Sequence, residues 1–230
     1  AETAVFAALE PVLRCFAEHC DVPDARLLLA GPSVAEVADD PEGADVLAEI
    51  RAQRESMDAG LRARVHLACL PMDDVDENAA MVNAIQRRAD VVVQKSLAEG
   101  FGLTVAEAMW KSRPVVASRI GGIQDQIVDG ESGILVDPSD LEATATAIDG
   151  LLDDSARARA IGAAAHERVR ASFLGTRHLV QYLELLAKLL NLCWLCLAND
   201  SSCRHSSLPL RASLQITARL PGPVSELHTR

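Results

Sequence analysis

The sequence predicts an α/β protein with a doubly wound parallel sheet. Short apolar runs alternate with amphipathic stretches along the chain, as repeated β-α units require. The apolar runs are rich in Val, Leu and Ile, which is typical of strands covered on both faces. Nearly half of the 230 residues are apolar, yet the chain has only four Phe, two Trp and one Tyr, which favours an aliphatic core between helices and sheet.

Each predicted strand is followed by a turn or a helix. The five strands are expected at Arg26–Ala30, Val65–Leu70, Asp90–Gln94, Pro114–Ser118 and Gly133–Val136. The helices are expected at Ala44–Met57, Glu77–Arg88, Thr104–Lys111, Leu141–Leu152, Ser155–Ala171 and Arg177–Leu190. Asp76 is expected to cap the second of these helices, and Ser139 with Glu142 forms a capping box before the fourth.

The chain is expected to have three parts. Residues 1–23 form a divergent N-terminal segment with a first helix, and residues 24–191 form the α/β domain with its closing helix. Residues 192–230 form an atypical, flexible tail, because Lys disappears, prolines recur and no helical or strand period is sustained.

Charge and composition exclude several classes of function. A formal net charge of −11 argues against nucleic acid as a partner, because a large phosphate surface needs a basic face. No apolar run approaches the roughly 20 residues of a membrane helix, and Ala1–Leu13 lacks the pattern of a signal peptide, so a cytoplasmic protein without a membrane partner is expected. The six cysteines are expected to be reduced rather than to form a disulfide framework.

The segment from Asp90 to Trp110 reads as a strand, a glycine-containing loop and a helix. Gly100 and Gly102 allow a tight turn, and the free amides from Gly100 to Thr104 lie at the positive end of the helix dipole. This layout predicts that an anionic diphosphate can bind there without a metal.

Two carboxylates bracket the loop: Glu99 precedes it and Glu107 lies inside the helix. Ionised carboxylates accept hydrogen bonds, so both would suit sugar and ribose hydroxyls on either side of a diphosphate. A solvated pair of glutamates favoured by the helix dipole is the alternative interpretation.

Glu99-Gly100-Phe101-Gly102-Leu103 followed by Glu107 matches the E-x7-E pattern of the family 4 retaining glycosyltransferases, so the chain resembles the C-terminal half of a GT-B fold. Neighbouring stretches look like further blocks of that family: Val91–Ser96, Gly121–Ile123 and Asp129–Gly133. Other stretches are similar to the trehalose synthase and trehalose phosphorylase group: Asp39–Gly43, Val82–Arg87, Gln94–Ser96 and Ala108–Lys111. The resemblance covers roughly residues 12–190.

The resemblance implies a Rossmann-like nucleotide-sugar-binding domain at residues 24–191. It implies a nucleotide-diphospho-glucose donor and retaining glucosyl transfer in trehalose synthesis or phosphorolysis, with no metal and no other cofactor. Glu99 is then the catalytic candidate, which contacts donor-sugar hydroxyls, and Glu107 binds the ribose. The amides that bind the diphosphate belong to Gly100, Phe101, Gly102, Leu103 and Thr104.

Five further residues are secondary candidates: Leu70, Pro71, Lys95, Gly121 and Gly122. Leu70 and Pro71 end a strand on the expected ligand side, where they either pack on the base or simply form the strand exit. Gly121 and Gly122 either let a loop approach the ligand or form a plain left-handed turn. Lys95 lies in one of the resembling blocks.

Three other patterns are interpreted as structural. Asp74-Val75-Asp76 looks like a metal-binding DxD motif but precedes a helix that Asp76 can cap. Cys193 and Cys196, with Cys203 and His205, could be drawn as a zinc site, but the first pair lies in an apolar run. His166 and His178 lie in predicted helices and are expected to be surface or packing residues.

Departures from the family pattern leave the activity of this chain open. The acceptor-binding N-terminal domain of GT-B enzymes is not expected here, and Ala1–Pro11 contains no Arg or Lys where the family has a basic diphosphate loop. A truncated or frame-altered product that binds without turnover is therefore the alternative to an active transferase. An unrelated doubly wound protein, such as a nucleotide-sugar epimerase, is disfavoured by the E-x7-E block. The apolar face of Arg177–Leu190 is expected to support self-association.

Overall fold

The computed structural model describes residues 9–19, 22, 24–32 and 41–197. The chain divides into two compact units, the first ending at Tyr182 and the second beginning at Leu183. Several predictions fall outside the described residues: those on residues 1–8, on Asp39 and Asp40, on Cys20, Cys203 and His205, and on the tail from residue 198 onward.

The strands in the described part of the chain all pair in parallel, as the sequence predicted. β1 (Leu27–Pro32) pairs with β2 (Val65–Leu70), while β4 (Val115–Ser118) lies between β3 (Val92–Gln94) and β5 (Ile134–Val136). The described ladders therefore form a two-stranded and a three-stranded sheet rather than one continuous sheet. β3 has only three residues and, within the described residues, uses one edge for pairing.

Helices alternate with the strands, which confirms the predicted α/β architecture. Their bounds are α1 (Leu9–His19), α2 (Pro41–Ser56), α3 (Ala59–Arg62), α4 (Val75–Arg88), α5 (Leu103–Trp110), α6 (Ile123–Gln126), α7 (Leu141–Asp153), α8 (Ser155–Ser172) and α9 (Gly175–Leu197). The sequence did not reveal α3 and α6, because four residues are too few to show a helical period. Among the described residues, no helix combines the length and the apolarity needed to cross a bilayer.

The last helix, α9, runs beyond the predicted domain boundary at residue 191. Cys193 and Cys196 therefore lie in a continuous helix, because the apolar run around them extends its pattern. The side chains from Leu179 to Leu190 that are large and apolar are roughly half exposed or more.

Two predicted helix caps are wrong by one or two residues. Asp74, not Asp76, caps α4: its Oδ1 accepts hydrogen bonds from the backbone N–H groups of Asp76 and Glu77 at 2.9 and 3.1 Å. Asp140, rather than Ser139, caps α7 and accepts from Ala143 N at 2.8 Å. In both places an ionised carboxylate satisfies the free helix amides, and the dipole favours its negative charge.

Strand β4 is buried along its whole length and lies at the centre of the larger sheet. Val115 and Ala117 face a core cluster built from α5, α6, β5 and α8. Val116 faces the opposite cluster, which contains Leu151 of α7 and Ile161 of α8. The segment that joins β3 to α5 is therefore built on a sheet that is covered on both faces.

Helix α8 crosses the turn before β4 at a very short distance, and a glycine permits this. A Cβ atom added at Gly162 would lie 2.2 Å from the carbonyl oxygen of Ser112. Ser112 is the one non-glycine residue with positive φ, 57°, among the described residues, so its carbonyl is fixed by the turn. The close approach of α8 to the sheet thus requires glycine at position 162, because a Cβ atom there would overlap the backbone of Ser112.

We expect Gly162→Ala to lower the free energy of unfolding by about 1–3 kcal/mol, because the methyl group would overlap backbone. Gly150→Ala in α7 is the matched control, since its Cβ would meet only Arg157 Nη1 at 3.8 Å. That control should raise the free energy of unfolding by up to about 1 kcal/mol, because alanine has a higher helix propensity than glycine. Urea unfolding measures both changes, and equal effects of the two substitutions would contradict the close approach.

Candidate functional site

The loop between β3 and α5, residues 95–102, holds most of the predicted site and is called the donor loop below. Gly102 forms the N-cap of α5 with φ 83°, and no side chain caps this helix. A Cβ at Gly102 would lie 2.9 Å from Ile123 Cγ1, so glycine is required both for its conformation and for space. The N-terminus of α5 is thus open to an external acceptor.

Three successive carbonyl groups of the donor loop are turned into the protein. The carbonyl oxygen of Gly100 accepts from Gly122 N at 2.8 Å, and that of Phe101 accepts from the side-chain amide of Gln126. The carbonyl oxygen of Gly102 accepts from Val105 N at 3.1 Å within α5.

In a trans peptide group the C=O and the following N–H point in opposite directions. The N–H groups of Phe101, Gly102 and Leu103 are therefore turned away from the partners of those carbonyls. Among the described residues, none of these three N–H groups donates to a protein acceptor. Three outward amides at the positive end of a helix dipole can donate hydrogen bonds to a cluster of anionic oxygens.

Gly121 and Gly122 allow the segment before α6 to lie directly against the donor loop. A Cβ at Gly121 would lie 1.8 Å from the carbonyl oxygen of Glu99, and one at Gly122 would lie 2.5 Å from that of Gly100. Gly121 also has φ 43°. The two glycines contact loop backbone, and Gly121 forms the left-handed turn that was one of the two predicted alternatives; approach to a ligand remains a prediction.

The two predicted glutamates have different partners. Glu99 Oε1 accepts from the N–H of Gly100 at 3.1 Å, within the donor loop. Glu107 Oε2 accepts from Gln86 Nε2 at 3.1 Å, and Gln86 Oε1 in turn accepts from Lys111 Nζ at 2.5 Å. Gln86 is buried, so it holds the exposed carboxylate of Glu107 from a fixed position on α4.

Both lysines near the site make contacts inside the protein. Burial lowers the pKa of Lys111, although the neighbouring Glu107 carboxylate opposes this change. Lys95 is buried and donates to the carbonyl oxygen of Pro138. Burial also lowers the pKa of Lys95, although nearby negative charges, including that of Asp137, oppose this change. Among the described contacts, neither ammonium group donates a hydrogen bond to residues 99–102 of the donor loop.

Leu70, Pro71 and His166 make the following contacts within the protein, and base contact by the first two remains a prediction. Leu70 ends β2 in the two-stranded sheet, and the carbonyl oxygen of Pro71 accepts from Asn78 Nδ2 at 2.8 Å. His166 Nδ1 lies 2.6 Å from the carbonyl oxygen of Trp110. The His166 ring stacks on the Trp110 ring, with 4.5 Å between the ring centroids. His166 is thus a packing residue, as predicted.

Sequence reasoning missed two buried amides, Gln86 and Gln126. Gln126 is fully buried and its Nε2 lies against the donor loop. A signal was present: Gln126 occupies an apolar spacing with Ile123 and Ile127, where a polar side chain needs a partner. The sequence could not name that partner, because the loop lies about 25 residues earlier in the chain.

Comparison with known proteins agrees with this geometry. A family model described as glycosyl transferases group 1 matches residues 9–168, which is well over half of the chain. The trehalose synthase of Pyrococcus horikoshii is 39% identical over 168 residues, which are 73% of this chain and 37% of that protein.

Two solved structures show the same fold. Sucrose-phosphate synthase from Thermosynechococcus elongatus superposes with a TM-score of 0.64 at 29% identity, covering 83% of this chain and 43% of that one. The Anabaena protein HepE, solved in complex with UDP-glucose, superposes with a TM-score of 0.63 at 22% identity, covering 80% of this chain and 46% of that one. The present chain therefore spans less than half the length of each of these proteins.

A parallel α/β domain, a helix N-terminus with outward amides and the match over residues 9–168 agree with one another. The chain belongs to the group 1 glycosyl transferase family, has the Rossmann-like architecture of GT-B glycosyltransferases, and is homologous to trehalose synthase.

Proposed function

We propose that this chain binds a nucleotide-diphospho-glucose at the donor loop and serves as the donor domain for retaining glucosyl transfer in trehalose synthesis or phosphorolysis. The observation that carries the proposal is the set of outward N–H groups of Phe101, Gly102 and Leu103. A diphosphate offers several anionic oxygens to such donors, and charge-assisted hydrogen bonds are stronger than neutral ones. The homology to trehalose synthase and the UDP-glucose bound to HepE, which has the same fold, support the choice of ligand.

The proposal gives each carboxylate a separate hydroxyl-binding role. Glu99, within the donor loop, accepts hydrogen bonds from the donor sugar, and Glu107, inside α5, accepts from the ribose. The amides between them bind the diphosphate and stabilise the negative charge that develops as it leaves the sugar. Because the amides are already oriented, little reorganisation is needed when that charge appears.

Donor binding without turnover is the second candidate function. The contacts of Lys95 with Pro138 and of Lys111 with Gln86 favour it, since neither lysine is directed to the diphosphate position. Point charges from Lys or Arg usually help to neutralise a departing diphosphate. A glucosyl-transfer assay with radiolabelled donor, run under conditions where binding has been measured, separates the two candidates.

One prediction of this proposal concerns donor binding. Calorimetric titration of the chain with UDP-glucose, ADP-glucose and GDP-glucose should give saturable binding of at least one donor. We expect Glu99→Ala and Glu107→Ala each to weaken the Kd about tenfold or more, because each removes charge-assisted hydrogen bonds. Glu77→Ala, which removes an exposed carboxylate from the first turn of α4, is the control and should leave the Kd unchanged. Absence of binding to a folded chain would refute the proposed function.

Another prediction of this proposal concerns Gln86. Gln86→Leu removes the amide that holds Glu107, so we expect the Kd to rise about three- to tenfold. The same loss should occur with the nucleoside diphosphate alone, because the proposed partner of Glu107 is the ribose.

Asn83→Leu is the matched control, since the Asn83 side chain bonds only Arg87 of its own helix among the described contacts. It should leave both affinities unchanged. If Gln86→Leu weakened donor binding but not binding of the nucleoside diphosphate, the assignment of Glu107 to the ribose would be wrong.

A further inference from the structure

Gln126 is a buried amide at the end of the short helix α6. Its side chain is fully buried, and its Nε2 donates to the carbonyl oxygen of Phe101 and lies 3.4 Å from that of Gly102. Its own Oε1 is buried with no hydrogen-bond partner among the described residues. A buried unpaired acceptor is costly, so the contribution of this amide lies in its two donors.

Helix α6 has only four residues and needs support from outside. Arg168 of α8 supplies it: its Nε donates to the carbonyl oxygen of Gln126 and its Nη2 to that of Asp125, both at 2.6 Å. The Arg168 guanidinium also lies over the ring of Phe173, 5.8 Å from its centroid. Gln126 is thus bound to α8 through its main-chain carbonyl group and to the donor loop through its side-chain amide.

A peptide group cannot turn its N–H outward unless its C=O turns inward. The Gly100 carbonyl has a backbone donor in Gly122, and the Gly102 carbonyl has donors in α5. The Phe101 carbonyl has no backbone donor among the described contacts, and Gln126 is its partner. The direction of the peptide group between Phe101 and Gly102 therefore depends on one side chain.

We infer that Gln126 is a positioning residue for donor binding, which it promotes by holding the Phe101–Gly102 peptide group with its N–H facing the diphosphate. This inference rests on the proposed function of the donor loop. Gln126 touches no donor atom itself and acts through the loop backbone. Its loss would leave the Phe101 carbonyl without a donor, so the peptide group could rotate and present a carbonyl oxygen to an anion.

The test compares two glutamines of the same helix. Gln126→Leu removes both N–H donors of the side chain at nearly constant volume. Gln124→Leu changes an exposed side chain of the same four-residue helix, α6. We expect Gln126→Leu to raise the Kd of UDP-glucose about tenfold or more, and Gln124→Leu to leave it unchanged. If both variants bind as the unchanged chain does, the inference is wrong while the proposed function stands.

A second measurement needs no ligand. The ¹⁵N–¹H spectrum should show large shifts of the Phe101, Gly102 and Leu103 amides in Gln126→Leu and none in Gln124→Leu. An unchanged set of loop amides in Gln126→Leu would overturn the inference whether or not the chain binds a donor. Failure of the unchanged chain to bind any donor would instead count against the proposed function.

A conservative variant covers the case in which Gln126→Leu does not fold. Gln126→Glu keeps the shape, and its carboxyl group donates to the Phe101 carbonyl only when protonated. The charged groups on the elements packed here include Arg168 of α8, which donates to the main-chain carbonyls of Gln126 and Asp125, Asp125 of α6 itself, and Glu99 of the donor loop, which lies beside Gly102. We expect the donor affinity of this variant, relative to the unchanged chain, to recover as the pH falls from about 8 to about 5. A ratio that does not change with pH would contradict the positioning role.

Discussion

The candidate site depends on the fixed direction of the peptide groups between Gly100 and Leu103. Backbone amides are weak anion ligands when they can rotate, because a rotated peptide group presents a partial negative charge instead. Here Gly122 and Gln126 hold the carbonyl groups of Gly100 and Phe101 on the protein side. The same constraint explains why two segments that are distant in sequence must lie in direct backbone contact.

That contact is possible because the elements beneath it are firmly packed. β4 is buried on both faces, and Val105 and Met109 of α5 share a core cluster with Ile123 and Val169. The cluster thus contains residues of α5, of α6 and of α8. Movement of α5, which follows the donor loop, away from α6 would open this cluster, so the apolar core and the orientation of the amides support each other.

The electrostatics of the site are local rather than global. The chain carries a formal charge of −11, so its overall field repels an anionic ligand. A diphosphate would instead be held by short-range hydrogen bonds and by the dipole of α5. Lys95, in the loop, and Lys111, in the turn after α5, do not change this, since their ammonium groups donate to Pro138 and Gln86.

The sequence by itself determined the α/β class, the five strand positions and the donor loop, because hydrophobic period, glycine positions and the Glu99–Glu107 spacing are local properties. The helix caps were not determined in this way. Asp74 and Asp140 are the N-caps, whereas the sequence pattern assigned the caps to Asp76 and Ser139, because several adjacent side chains can accept hydrogen bonds from the same helix amides. The partners of Glu107 and Phe101 were decided only by the tertiary structure. Gln86 and Gln126 reach these groups across more than 20 residues of sequence, and no local pattern encodes which buried amide will meet which backbone or carboxylate group.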